Sequence, residues 1–317
     1  MKILANDGVS PEGIDVLENA GHQVETVKVA QEQLANYMNE NAIDVILVRS
    51  ATQVRKELID QVPGLKIIGR GGVGLDNIDV DYAKSKGIEV INTPAASSES
   101  VAELVMAHML GLARNLHNTN RDMPLEGDSK FKALKKACAG GTELAGKTIG
   151  IIGFGRIGQA VAKKAIGLGM KILAYDPMVE KTQIELSFFD GQKLSFDLKT
   201  VSFEEVVKNS DFISLHVPKQ KDYIIGKPEL ELMKNSAVLV NTARGGVVDE
   251  KALDVALANN QIAYAALDVF ENEPTPPIKL LMNPKLSLSP HIGGATQEAQ
   301  ARIGVELADQ IIAIDKK

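Results

Sequence analysis

Four short apolar runs mark the first third of the chain: "KILA" at 2–5, "DVILVR" at 44–49, "LKIIGR" at 65–70 and "IEVINTP" at 88–94. They lack the strict alternation of a half-exposed strand, as expected of strands buried on both faces. Helical-period stretches separate them, which predicts a parallel α/β sheet. "SSESVAELVMAHMLGLARNL" follows with serine caps, an acidic first turn and apolar residues at helical spacing, predicting a long helix. The next segment, "HNTNRDMPLEGDSKFKALKKACAGG", is polar and predicts an irregular arm or connector of the kind that serves dimer contacts. A second α/β series then runs through "KTIGIIGFGRIG", "KILAYDP", "DFISLHVP", "SAVLVNTARGG", "IAYAALDVFENEP" and "LSLSPHIGG". Within it, residues 186–203 alternate apolar and polar positions and predict an exposed hairpin, while 295–314 predict one closing helix. Two doubly wound parallel-sheet domains are the expected architecture.

Composition supports that picture and narrows the ligands. A chain of 317 residues exceeds what one core usually holds. Aromatics are only 4% and Trp is absent, so the cores must be built from Ile, Val, Leu and Ala, the usual filling of helix-covered parallel sheets. A net charge of −6 argues against nucleic acid or an anionic membrane surface as partner, so an anionic ligand must be met by a local cluster. The single cysteine, Cys138, leaves no internal disulfide or cysteine-based zinc site, and no metal is expected. Without a signal-peptide pattern or an apolar run near the ~18 residues of a membrane span, a cytoplasmic location is expected.

The clearest motif is GxGxxG at Gly153, Gly155 and Gly158, preceded by the apolar strand "TIGII" and followed by an amphipathic helix. Strand, glycine turn and helix together are the context a dinucleotide site requires. Gly153 suits the tight turn, Gly155 the approach of a pyrophosphate, and Gly158 close packing of helix on strand, with free N–H groups at the helix start facing phosphate. Asp176 ends the next strand eighteen residues past Gly158, where an acceptor for ribose hydroxyls belongs. Its charge would repel a 2′-phosphate, and "PMVEK" after it offers no arginine, so NAD is expected over NADP.

With NAD bound, hydride transfer is the expected chemistry, and ligands of open α/β sheets bind outside the carboxyl ends of the strands. Three such ends carry ionisable groups: Arg244, Glu273 and His291. Ketone reduction or alcohol oxidation needs a proton exchanger that works near neutral pH, which selects His291. His108 and His117 lie in or at the end of the long helix, His22 in an early loop, and His216 at a strand end that could edge the cofactor pocket. A neighbouring carboxylate would fix the tautomer of His291; Glu273 is the candidate, with Glu271 two residues away. Arg244 offers a planar fork for a carboxylate or a polarised carbonyl. Taken singly, each of the three could equally be a surface charge or a cap.

Together, "GFGRIG", "NTARGGVVDE", "DVFENEP" and "SPHIGG" resemble the D-2-hydroxyacid dehydrogenase family in order and approximate spacing, over nearly the whole chain. The resemblance implies that Arg244 binds substrate carboxylate and carbonyl, that Glu273 pairs with His291, and that His291 exchanges the proton. It also implies an NAD site of Gly153, Gly155, Arg156, Ile157 and Gly158 at the pyrophosphate, Asp176 at the ribose, and Thr242, Ala243, Arg244 and Asp268 toward the nicotinamide. His216, Val217 and Pro218 edge that pocket, and Gly293 and Gly294 complete the wall by His291. The implied fold is a Rossmann NAD-binding domain, residues 97–289, inserted in a flavodoxin-like substrate domain of residues 1–96 plus 290–317. A homodimer using the arm near 116–145 goes with it.

The substrate is read from a second set of strand ends. Arg49 and Ser50 in "LVRSAT", Gly72 and Val73 in "GRGGVGLDNID", and Asn92 in "INTP" could cradle a phosphate monoester or a second carboxylate. With "GGATQEAQ" after the histidine, this set looks most like the phosphoglycerate dehydrogenase branch of the family. A phosphorylated 2-hydroxy acid, 3-phosphoglycerate, is therefore the expected substrate. Glyoxylate or hydroxypyruvate reduction is the near alternative, and an NAD-sensing corepressor a distant one. The chain stops soon after the closing helix, so a C-terminal serine-binding regulatory domain is not expected.

Overall fold

The computed structural model describes residues 1–316 and divides into two compact units, one of Met1–Ser100 with the segment from Gly294 onward, the other Val101–Gly293. The first unit holds β1 (Lys2–Ala5), β2 (Gln23–Glu25), β3 (Val45–Val48), β4 (Ile67–Arg70) and β5 (Glu89–Asn92), all parallel in the order β2-β1-β3-β4-β5. This is the flavodoxin-like order, and its topological switch point lies between β1 and β3. Ile3, Ala5, Val45 and Leu47 pack to one side of the sheet, Leu4, Ile46, Val48 and Ile68 to the other. Burial on both faces is the physical reason these runs read as continuously apolar. The closing helix, Gln297–Asp315, lies against the helix Pro11–Asn19, where a Cβ on Gly13 would stand 2.7 Å from the backbone of Gly304. Side chains at that crossing would force the helices apart.

The second unit holds β6 (Thr148–Ile152), β7 (Lys171–Tyr175), β8 (Lys181–Ser187), β9 (Lys193–Lys199), β10 (Phe212–Leu215), β11 (Val238–Asn241), β12 (Tyr264–Leu267) and β13 (Leu286–Leu288). Six of them form a parallel sheet in the order β13-β12-β11-β10-β6-β7, the Rossmann arrangement without its outermost third strand and with β13 added beyond the sixth. Where that strand would lie, Val201 N–H donates to Ala174 C=O at 2.8 Å and the ladder goes no further. Two buried clusters sandwich the sheet, one around Ile213, Leu239 and Leu267, the other around Ile151, Val240 and Ala266. No helix among the described residues is long and apolar enough to cross a membrane.

Two local expectations need revision. Residues 116–137 are not irregular: they form the helix Leu116–Ala137, with Pro124 inside it and non-helical backbone at Lys130. None of its residues is buried, and Pro124 in a largely polar stretch reads as a break in the sequence although Leu116, Met123, Phe131 and Leu134 share one helical face. The predicted hairpin exists as the antiparallel pair β8 and β9, but it starts at Lys181 rather than 186. Ile184 is its fully buried anchor, in the cluster that includes Val161 and Ala165 of the helix Arg156–Gly167. Phe189 stands wholly exposed at the tip.

Candidate active site

The glycine loop joins β6 to the helix Arg156–Gly167. Gly153 has φ +92°, and a Cβ there would run into the carbonyl of His216, so only glycine serves. A Cβ on Gly158 would collide with the carbonyl of Gly153, which fixes how closely helix and strand pack. At Gly155 a Cβ would meet nothing within 4 Å, and this residue caps the helix without a side chain, so the first N–H groups at Arg156 and Ile157 open onto space. A dinucleotide pyrophosphate needs such a cradle. Asp176, half-buried at the end of β7, accepts from Phe154 N–H at 2.7 Å and Met178 N–H at 2.8 Å. One bond to each carboxylate oxygen leaves each a lone pair for a ribose hydroxyl.

Two orphaned polar atoms stand at neighbouring strand ends. Thr242 Oγ1, after β11, and His216 Nδ1, after β10, are buried without a hydrogen-bond partner. Burial pushes the His216 imidazole down to about 3, so it is neutral, and its Nε2 pairs with Ser214 Oγ at 2.9 Å. Buried polar groups without partners are costly and mark places where a ligand can satisfy them. Val217 is half-buried and Pro218 exposed beside His216. The residues present therefore fit NAD.

In "NTARGG", the Asn241 side chain clamps the turn at both ends: its Oδ1 accepts from Ala243 N–H at 3.0 Å and its Nδ2 donates to Arg244 C=O at 3.0 Å. A Cβ on Gly245 would collide with the carbonyl of Phe270, and Gly246 has φ +81°. The glycines thus let the arginine loop press directly on the "DVFENEP" backbone. Arg244 itself is half-buried, its guanidinium donating to Ala243 C=O at 2.6 Å.

His291 and Glu273 are joined. Nδ1 of His291 lies 2.8 Å from Glu273 Oε2, while Glu273 Oε1 accepts from Phe270 N–H at 2.9 Å. The carboxylate can only accept, so Nδ1 carries hydrogen and Nε2 is the atom left to take up or give a proton. The His291 side chain is 38% exposed and its backbone is left-handed, φ +56°, uncommon for a residue with a side chain. Asp268, buried at 1% exposure, holds the chain just beyond it: Oδ1 accepts from Ile292 N–H and Oδ2 from Gly293 N–H, both at 2.9 Å. Glu271 does not reach His291; its carboxylate accepts from Glu250 N–H instead.

The first unit collects its own set at the carboxyl edge of its sheet. Arg49 follows β3 at the switch point, its N–H donating to Asp7 Oδ2 at 2.7 Å and its carbonyl held by Asn77 Nδ2 at 2.8 Å. The stem of Arg49 lies beside Gly71, and Ser50 is exposed. Gly72 has φ +145°, with the Arg70 guanidinium packed where a Cβ would be. Asn92 Nδ2 donates to Val73 C=O at 2.7 Å, so part of its amide braces the loop. Gly294 begins the segment before the closing helix, its carbonyl accepting from Gln300 Nε2 at 2.7 Å. Sequence reasoning missed the braces themselves, Asp7, Asn77 and Asn241. Their partners lie far along the chain or depend on turn geometry.

Comparison with known proteins identifies the family. The family described as "D-isomer specific 2-hydroxyacid dehydrogenase, NAD binding domain" matches residues 106–293. The chain belongs to the D-2-hydroxyacid dehydrogenase family. It binds NAD, and its second unit is the NAD-binding domain of this family. A hydroxypyruvate reductase of Thermotoga maritima is 43% identical over 98% of this chain and 97% of its own length. A D-3-phosphoglycerate dehydrogenase of Methanocaldococcus jannaschii is also 43% identical, over 98% of this chain but 57% of its own, so the chain spans little more than half of that relative. Among solved structures, an NAD-dependent formate dehydrogenase of Staphylococcus aureus in complex with NAD superposes with a TM-score of 0.79 at 30% identity, covering 99% of this chain and 96% of that one. Among the described residues of this dehydrogenase, no group of three or more His, Cys, Asp or Glu could hold a metal ion.

Proposed function

We propose that this dehydrogenase interconverts 3-phospho-D-glycerate and 3-phosphohydroxypyruvate, the entry step to serine, with His291, Glu273 and Arg244 as its chemical groups. The pairing of His291 Nδ1 with Glu273 carries the reading, because it dedicates Nε2 to proton exchange with the substrate hydroxyl. Glu273, itself fixed by the Phe270 N–H, holds the ring in one tautomer. Arg244 presents its fork to the substrate carboxylate and to the oxygen that changes between alcohol and ketone. Bound NAD supplies the hydride acceptor in one direction and the donor in the other. Thr242, Ala243 and Asp268 would hold its nicotinamide end, and Asp176 would take the ribose and disfavour a 2′-phosphate.

The first unit is read as the substrate domain. Arg49 and Ser50, with the loop of Gly72 and Val73 and the Asn92 amide, are offered to the phosphate, a role supported by their gathering at the carboxyl edge of one sheet. The full-length match to the Thermotoga hydroxypyruvate reductase favours a second reading, reduction of an unphosphorylated 2-oxo acid by the same groups. A homodimer built on the exposed helix Leu116–Ala137 and a cytoplasmic location complete the proposal. Steady-state rates with 3-phosphoglycerate, glycerate, hydroxypyruvate and glyoxylate, followed by NADH absorbance, separate the two. The phosphorylated substrate is expected to have the highest kcat/KM, and equal or better values without phosphate would transfer the reading to the reductase.

A further inference from the structure

His108 sits in the helix Ser98–Ala113, 7% exposed, far along the chain from any residue assigned to the chemistry. Both its ring nitrogens are engaged, Nδ1 with Ser287 Oγ at 2.9 Å and Nε2 with Ser289 Oγ at 3.0 Å. Ser289 donates its one hydroxyl hydrogen to Asp268 Oδ1 at 2.6 Å. Its oxygen can then only accept from the imidazole, so His108 Nε2 carries hydrogen and Nδ1 accepts from Ser287. Burial lowers the affinity of this ring for a second proton, in keeping with a neutral imidazole. The bonds run in one direction: Ser287 hydroxyl to His108, His108 to Ser289, Ser289 to Asp268. Each polarises the next toward the buried carboxylate.

Asp268 is where this chain meets the catalytic segment. Its two oxygens hold the N–H groups of Ile292 and Gly293, the two residues that follow the left-handed His291. A Cβ on Gly293 would stand 3.2 Å from Asp268 Oδ2, so the carboxylate also fits closely against that backbone. A side-chain residue keeps φ near +56° only where its surroundings over-determine it. Glu273 does so from the ring side and Asp268 from the backbone side.

We propose that His108 is a positioning residue: through Ser289 it orients the Asp268 carboxylate, and through that carboxylate it holds the backbone that aims His291. The structural part rests on the bonds themselves; its effect on turnover rests on the reading of His291 as the proton exchanger.

Amide hydrogen exchange on the full chain without added nucleotide tests the wiring independently of activity. His108→Leu is expected to speed exchange at Ile292 and Gly293 about tenfold, with the remaining core amides of the NAD-binding domain nearly unchanged. His108→Gln, which retains a donor and an acceptor, is expected to restore most of the protection. In kinetics, His108→Leu should lower kcat several-fold more than it changes KM for the oxo acid. Wild-type exchange at Ile292 and Gly293 in His108→Leu, or a uniform rise across the domain that His108→Gln does not reverse, overturns the proposal. Should His108→Leu fail to fold, Ser289→Ala cuts the same chain one link later, and undisturbed exchange at the two amides in that variant overturns it equally. If His291→Gln keeps full turnover while the exchange pattern follows His108, the functional reading fails and the wiring stands.

Discussion

Both units are parallel α/β sheets with polar residues at their carboxyl edges, yet the two edges are built differently. In the NAD-binding domain two of the candidate reacting side chains are bonded directly, His291 to Glu273, and backbone bonds hold them in place: Glu273 to Phe270 N–H, Asp268 to the chain after His291, and Asn241 across the arginine turn. In the first unit the comparable bonds brace the loops, with Asp7 holding the backbone of Arg49 and Asn92 holding Val73, while the Arg49 side chain and Ser50 belong to no such assembly. Preorganisation of reacting groups is what chemistry needs, whereas a recognition edge needs shaped loops and a few ionic side chains. The difference is what the proposed function expects, with reaction at one edge and substrate choice at the other.

The comparison breaks most visibly at Arg244. Arg244→Lys keeps the charge and loses the fork, and kcat/KM is expected to fall by about 10²- to 10³-fold with NADH binding by fluorescence nearly intact. A loss confined to NADH affinity would move Arg244 out of the substrate site. Arg49→Ala probes the other edge: KM for 3-phosphoglycerate should rise about tenfold or more with kcat retained, and KM for unphosphorylated acids should hardly move. A matching fall in kcat would mean the first unit takes part in the reaction step.

The smallest effect concerns acid. Burial lowers His108, His117 and His216 in the NAD-binding domain, but only His22 in the first unit. A histidine held neutral in the fold contributes full stability above its unfolded value near 6.5, and loses it as pH falls below that value, because the unfolded chain takes up the proton first. For His216, lowered to about 3, the slope is about 1.4 kcal/mol per pH unit over that window. Hydrogen exchange at pH 7 and pH 5, corrected for intrinsic rates, should therefore show the NAD-binding domain loosening more than the first unit. Equal loosening would remove the histidines as its cause.

Much of this was legible in the chain because buried parallel strands and the glycine loop leave local signatures. Gly153, Gly155 and Gly158 each occupy the environment the motif demands, and the apolar runs became the strands. The helix Leu116–Ala137 stayed hidden because Pro124 and the polar stretch around it read as a break in the chain. The hairpin was visible in its alternation but not in its start, since Ile184 is a single anchor in a polar strand. His108 looked like an ordinary helix residue, because its partners Ser287, Ser289 and Asp268 lie some 160 to 180 residues away along the chain. Bonds between distant segments are made by the fold and leave no spacing to recognise.

The most direct test of the central claim is single-turnover NADH consumption by His291→Gln with a saturating 2-oxo acid, beside NADH binding measured on the same protein. The account predicts a rate about 10³-fold lower than wild type with NADH affinity largely preserved. A rate within a few-fold of wild type would contradict it, since the ring paired to Glu273 could not then be the group that exchanges the proton.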